Sequence, residues 1–170
     1  MKKWYLTLLS FALTLCLSLS LEAQSDDAEL NQVKLMEQFI GSWNCTIGED
    51  TVIELKIIPF GKALNLYREV KVRDEILMAY TGIYGLSQDG KTVITAGAAK
   101  DGSLTLDYGR FVSSTKFVAE MYFDNMMNPL AIEEVEFQSP DSFTVRSKYR
   151  GDEMTWDVLW SPVWTFTRQQ

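Results

Sequence analysis

The sequence predicts an all-β protein: a closed antiparallel barrel of about ten strands, preceded by one short N-terminal helix. Three observations carry this. Apolar residues alternate with polar ones in successive runs from about residue 42 to residue 168, the pattern of strands that bury one face. Turn signals such as Asp89-Gly90 and Asp101-Gly102 fall between the runs. The final run, residues 153–168, exceeds the five or six residues usual for a sandwich strand. A barrel wall suits it, and closure removes the exposed edges that many hairpins would leave.

The chain opens with Lys2 and Lys3, then an uncharged apolar stretch from Leu6 to Leu21, then Glu22-Ala23-Gln24. This order predicts a secretory signal cleaved near Ala23, and hence a periplasmic or secreted protein. The apolar stretch has 16 residues, short of the roughly 20 that span a bilayer, so no transmembrane anchor is expected in the mature chain. Lipidation of Cys16 stays open. Leu13-Thr14-Leu15-Cys16 partly matches a lipobox, with bulky Leu15 where a small residue belongs.

Residues 24–170 then form one predicted barrel domain, a length that buries about two-thirds of its unfolded surface. Removing Lys2, Lys3 and Glu22 from 16 basic and 23 acidic residues leaves 14 against 22. So acidic a chain is a poor nucleic-acid binder, because that affinity comes from neutralising phosphates. Cys45 is the one cysteine left after Cys16 departs. An internal disulfide is therefore excluded, although an exported protein could hold one.

The predicted helix covers residues 30–40, where Leu30, Val33, Met36 and Ile40 recur at helical spacing and Gly41 ends the run. Strands follow at about 42–49, 51–58, 62–73, 75–86, 91–99, 103–108, 115–124, 130–138, 142–150 and 153–168. In the sixth, Leu104 and Leu106 alternate with Thr105 and Asp107, and the leucines mark the expected buried face. In the last, Trp156, Trp160, Trp164, Phe166 and Arg168 share one parity, and Pro162 interrupts the ladder.

The chain has no histidine. That excludes Ser-His-Asp and Cys-His nucleophilic machinery, histidine-ligated zinc and haem on a proximal histidine. Cys45 shares parity with Trp43 and Ile47 and reads as a small core residue. Gly97 to Ser103 has the glycine spacing of a phosphate-binding loop, but Ser103 stands where lysine is required, so a hairpin turn explains it better. Glu133, Glu134 and Glu136 could suggest paired catalytic carboxylates. Neighbours on a strand point to opposite faces, so they read as a mostly solvated face. No catalytic residue, metal or cofactor is expected.

Arg68 breaks a pattern. It has the parity of Leu64, Leu66, Val70 and Val72. An inward guanidinium stays charged and needs an anion. That anion is either the head of an amphipathic ligand or a structural partner, Glu133 being one choice; a bulge that turns Arg68 outward is the third reading. Arg68, Tyr80, Tyr108, Met121, Trp156 and Trp160 are the candidate ligand-lining residues.

Gly41-Ser42-Trp43 follows the short helix and opens the first strand. This Gly-x-Trp placement, followed by ten strands, resembles the calycin-like barrels: lipocalins, fatty-acid-binding proteins and nitrobindin-like domains. The nitrobindin-like branch and the lipocalin-like bacterial domains of unknown function are the most similar. The resemblance covers about residues 30–168. It implies that Trp43 closes one barrel end and that Arg168 packs over it. Chain order agrees, since closure pairs the last strand with the first. Nitrobindins hold haem through a histidine that this sequence lacks, so haem chemistry is not carried over. The functional expectation is an exported non-enzymatic binding protein for a small apolar or amphipathic ligand. The alternatives are a cell-envelope interaction module with a filled barrel, and a cofactor-free barrel isomerase or cyclase.

Overall fold

The computed structural model describes residues 30–123, 128–150 and 161–169. The expected signal segment, and the stretch holding Trp156 and Trp160, lie outside them. Helix α1 (Gln32–Met36) leads through a 3-10 turn (Glu37–Phe39) into ten strands. These are β1 (Gly41–Ile47), β2 (Thr51–Phe60), β3 (Ala63–Val72), β4 (Glu75–Leu86), β5 (Val93–Ala99), β6 (Leu104–Phe111), β7 (Lys116–Phe123), β8 (Ala131–Ser139), β9 (Ser142–Tyr149) and β10 (Trp164–Arg168). Each pairs antiparallel with the next, and β10 closes the barrel on β1. The expected closed topology is observed, and the strands fall near their expected positions, the sixth running on to Phe111. Within the described residues the last strand starts only at Trp164, two positions after Pro162, which has no N–H for a ladder.

The helix is shorter than its spacing predicts and shows the core a different face. Gln32, Met36 and Phe39 are buried, while Val33 is exposed. Asn31 caps it, its side chain accepting from the Lys34 N–H at 3.0 Å. The Gln32 amide then completes the end of β6. Its oxygen accepts from the Phe111 N–H at 2.7 Å, and its nitrogen donates to the Phe111 carbonyl at 3.1 Å. A buried polar side chain so placed satisfies backbone groups that water cannot reach. The tighter turn from Glu37 brings Phe39 inward, so the face no longer follows the 3.6-residue period.

Phe39 plugs this end. Its ring centroid lies 5.1 Å from Phe137, 5.6 Å from Phe117, 5.6 Å from Tyr84 and 5.9 Å from Phe111. Trp43, fully buried, donates its indole N–H to the Phe39 carbonyl at 2.8 Å and meets the Phe143 ring edge-on at 4.8 Å. Edge-to-face packing of this kind adds to the burial of each ring. Cys45 is buried beside them, and burial pushes its thiol up.

Trp43 pairs with Arg168 across β1 and β10. The Arg168 guanidinium lies 4.1 Å from the Trp43 ring centroid. It donates to the Ile40 carbonyl at 2.6 Å and to the Pro140 carbonyl at 2.9 and 3.1 Å. Gly41, at φ +146°, has no room for a Cβ, which would collide with the same guanidinium. Gly41, Trp43 and Arg168 therefore occupy one place, at the end that α1 covers.

The phase of β6 corrects the sequence reading. Leu104 is 57% exposed and Tyr108 is 42% exposed, so the face bearing the leucines points out. Phe111 sets the phase. It packs into the core at 5.2 Å from Phe117, and Gly109, two residues before it, leaves the space that the Phe117 ring fills. Counting back by two puts Asp107 and Thr105 inside. Phe111 lies beyond the predicted end of this strand, so its vote was not counted.

A candidate ligand site inside the barrel

The inward-facing residues change character along the barrel axis. At the α1 end they are aromatic and buried: Phe111, Phe117, Phe137 and Phe143. In the opposite half, Leu55, Arg68, Val70, Asp107, Met121 and Glu133 are only half-buried. Polar groups collect there because β3, β4, β6, β8 and β9 each bring a polar side chain to the inward parity. The residues are Arg68, Tyr80, Thr105 with Asp107, Glu133 and Ser147.

Arg68 stands opposite Leu55 on β2 and Tyr80 on β4. Its guanidinium carbon lies 5.0 Å from the Tyr80 ring centroid, within range of a cation–π contact. Its Nε is buried and has no hydrogen-bond partner among the described residues. Tyr80 is buried, and its hydroxyl shares a 2.7 Å hydrogen bond with the Thr105 hydroxyl. The ring can lie against the wall because Gly82 and Gly97 sit behind it. A Cβ at Gly97 would collide with the Tyr80 hydroxyl, a close approach that only glycine permits.

Asp107 follows Thr105 on the same face, and its Oδ1 is buried and unpartnered among the described residues. Its carboxyl is pushed up to about 7, first by burial, then by the repulsion of Glu133, with Arg68 pulling it down. Burial likewise pushes Glu133 up, opposed by Arg68 and by a hydrogen bond to Ser147. The Tyr80 and Tyr84 hydroxyls are also held above their ordinary range by burial. One guanidinium thus faces two carboxyls that resist ionising together.

Of the six lining residues expected from sequence, Arg68, Tyr80 and Met121 share this space. Trp156 and Trp160 lie outside the described residues. Tyr108 is a correction. It points outward, touches the edge of the Tyr122 ring at 5.7 Å and lines a depression on the outer wall with Thr92, Arg110 and Glu120. Glu134 also faces out and bonds Arg146 at 2.6 Å and Lys116 at 3.1 Å. Asp107, Thr105 and Ser147 were not singled out. Ser147 had a legible signal, since it shares parity with Phe143, Val145 and Tyr149. Among the described residues no group of three His, Cys, Asp or Glu side chains could hold a metal ion, and no helix is long and apolar enough to cross a membrane.

No family model matches the chain, and no curated protein matches it by sequence. Among solved structures, the crystal structure of Rv2717c from M. tuberculosis is similar with a TM-score of 0.61 at 13% identity, covering 83% of this chain and 99% of that one. At such identity the likeness concerns the fold alone. The structure of EF1p2_mFAP2b bound to DFHBI matches at a TM-score of 0.34 and 15% identity, over 81% of this chain and 99% of that one, and a score that low equates nothing. The chain is a closed ten-stranded antiparallel barrel with Rv2717c as a structural neighbour.

Proposed function

We propose that this chain is an exported, non-enzymatic binding protein of lipocalin-like build, which holds a small amphipathic ligand in the half of the barrel opposite α1. One observation carries the reading: a buried donor, Arg68 Nε, and a buried acceptor, Asp107 Oδ1, both unpartnered among the described residues. Each unmade hydrogen bond inside a protein costs about 1–3 kcal/mol. A ligand head placed between them would recover part of that. Leu55, Val70 and Met121, half-buried on the same inner wall, offer its apolar tail a surface. Export rests on Lys2, Lys3, the apolar stretch and Ala23, and the intact mass of the exported protein tests it: a species still carrying residues 1–23 would contradict it.

The test of binding is native mass spectrometry of the purified protein beside Arg68→Met. A recurrent lipid-like adduct on the wild type, reduced in the variant, is the expected result. A clean apo mass for the wild type overturns it. That result favours a second reading, an envelope interaction module. Ile83, Leu104 and Tyr108 are exposed on the outer wall of β4 and β6, and exposed apolar area of this kind marks contact surfaces.

A further inference from the structure

Resting on the binding reading, the same site also points to the chemistry of the ligand's polar end. We infer that the barrel takes an uncharged head with an acceptor and a donor side by side, a carboxamide or lactam, in preference to a bare carboxylate.

The unpartnered atoms are of opposite kinds. Arg68 Nε needs an acceptor, and Asp107 Oδ1 needs a donor. They line the same stretch of the inner wall. Arg68 lies over Tyr80 at 5.0 Å, Tyr80 holds Thr105 at 2.7 Å, and Asp107 is the next inward residue on that strand. Arg68, Asp107 and Glu133 act on one another electrostatically.

A carboxylate head would serve only half of this. It would give Arg68 its acceptor, leave Asp107 Oδ1 without a donor, and add a third carboxyl where a single guanidinium already faces two that it does not fully offset. Burying uncompensated charge is the costlier error. A carboxamide presents C=O to Arg68 and N–H to Asp107, adds no charge, and matches both atoms at once.

The groups facing Asp107 set the pH behaviour. Arg68 comes from β3, Tyr80 and Tyr84 from β4, and Glu133 from β8. The inward residues of β5 and β7 nearest to it, Thr95 and Gly97, Met121 and Ala119, do not titrate. Below the Asp107 titration, near pH 7, its carboxyl carries a proton and becomes a donor. A carboxylate ligand is then tolerated. A carboxamide, which can turn either edge to the site, is affected little.

The experiment titrates full-length mature protein with decanamide and with decanoate by isothermal calorimetry, at pH 8 and pH 5.5. At pH 8 decanamide is expected to bind about tenfold or more tightly than decanoate, the size of effect that one unpaired buried charge produces. At pH 5.5 the gap narrows because decanoate gains. Asp107→Asn, which offers a donor at every pH, narrows it at pH 8 as well. Decanoate binding as tightly as decanamide at pH 8 overturns the inference and leaves the binding reading intact. Binding of neither probe at either pH overturns both.

Discussion

Replacing Asp107 with Asn stabilises the fold at pH 8 and leaves it unchanged at pH 4. In the folded chain the carboxyl titrates at about 7, against 3.8 when freely solvated. Between those values the unfolded chain has released a proton that the folded chain keeps. Raising the pH therefore favours unfolding, and the advantage of the protonated form, complete below pH 4, is lost as pH rises through 7. About three pH units at about 1.4 kcal/mol each sets an upper bound of about 4 kcal/mol. Asp107 is only half-buried, and water screens part of that, so about 2 kcal/mol is the expected gain. Asn has nearly the same shape, and Oδ1 makes no hydrogen bond that the change could break. Urea unfolding of both proteins, followed by tryptophan fluorescence at pH 4, 6 and 8, measures the difference. The midpoints should coincide at pH 4 and separate progressively by pH 8, at constant slope. A wild type as stable as the variant at pH 8, or more stable, would refute the reasoning and show that attraction to Arg68 outweighs burial and Glu133.

Two further outcomes follow from the packing. Arg168→Ala should lower stability by about 2–4 kcal/mol in the same unfolding assay, since it removes the contact over Trp43, at about 0.5–2 kcal/mol, and charge-assisted bonds to the Ile40 and Pro140 carbonyls; a loss under about 0.5 kcal/mol would mean that the barrel end closes without it. Gly97→Ala drives a Cβ into the Tyr80 hydroxyl and the Thr81 carbonyl, so thermal unfolding should show a loss of about 1–3 kcal/mol, the usual penalty of overpacking; an unchanged melting temperature would place Tyr80 elsewhere.

The strand positions were legible because the period of two is local. Every run from residue 51 to residue 149 could be placed by alternation and turn residues alone, and β10 could be paired with β1 from chain order. Arg68 was legible for the same reason: four aliphatic neighbours of its own parity mark its face. The sequence also excluded histidine chemistry outright, because an absent side chain needs no coordinates.

What the sequence could not settle is phase where both faces carry mixed residues. In β6 the leucines suggested one inner face, and Phe111 with Gly109 enforces the other. That choice depends on Phe117, a neighbour on the next strand whose ring needs the space over Gly109. Gln32 was equally hidden. A glutamine on a helix reads as solvated until the fold brings the end of β6, 79 residues away, against it. The pairing of an unsatisfied guanidinium with an unsatisfied carboxyl oxygen belongs to tertiary structure for the same reason. Alternation along a strand reports only which way a side chain points. What it meets there depends on strands far along the chain, brought opposite one another by closure of the barrel.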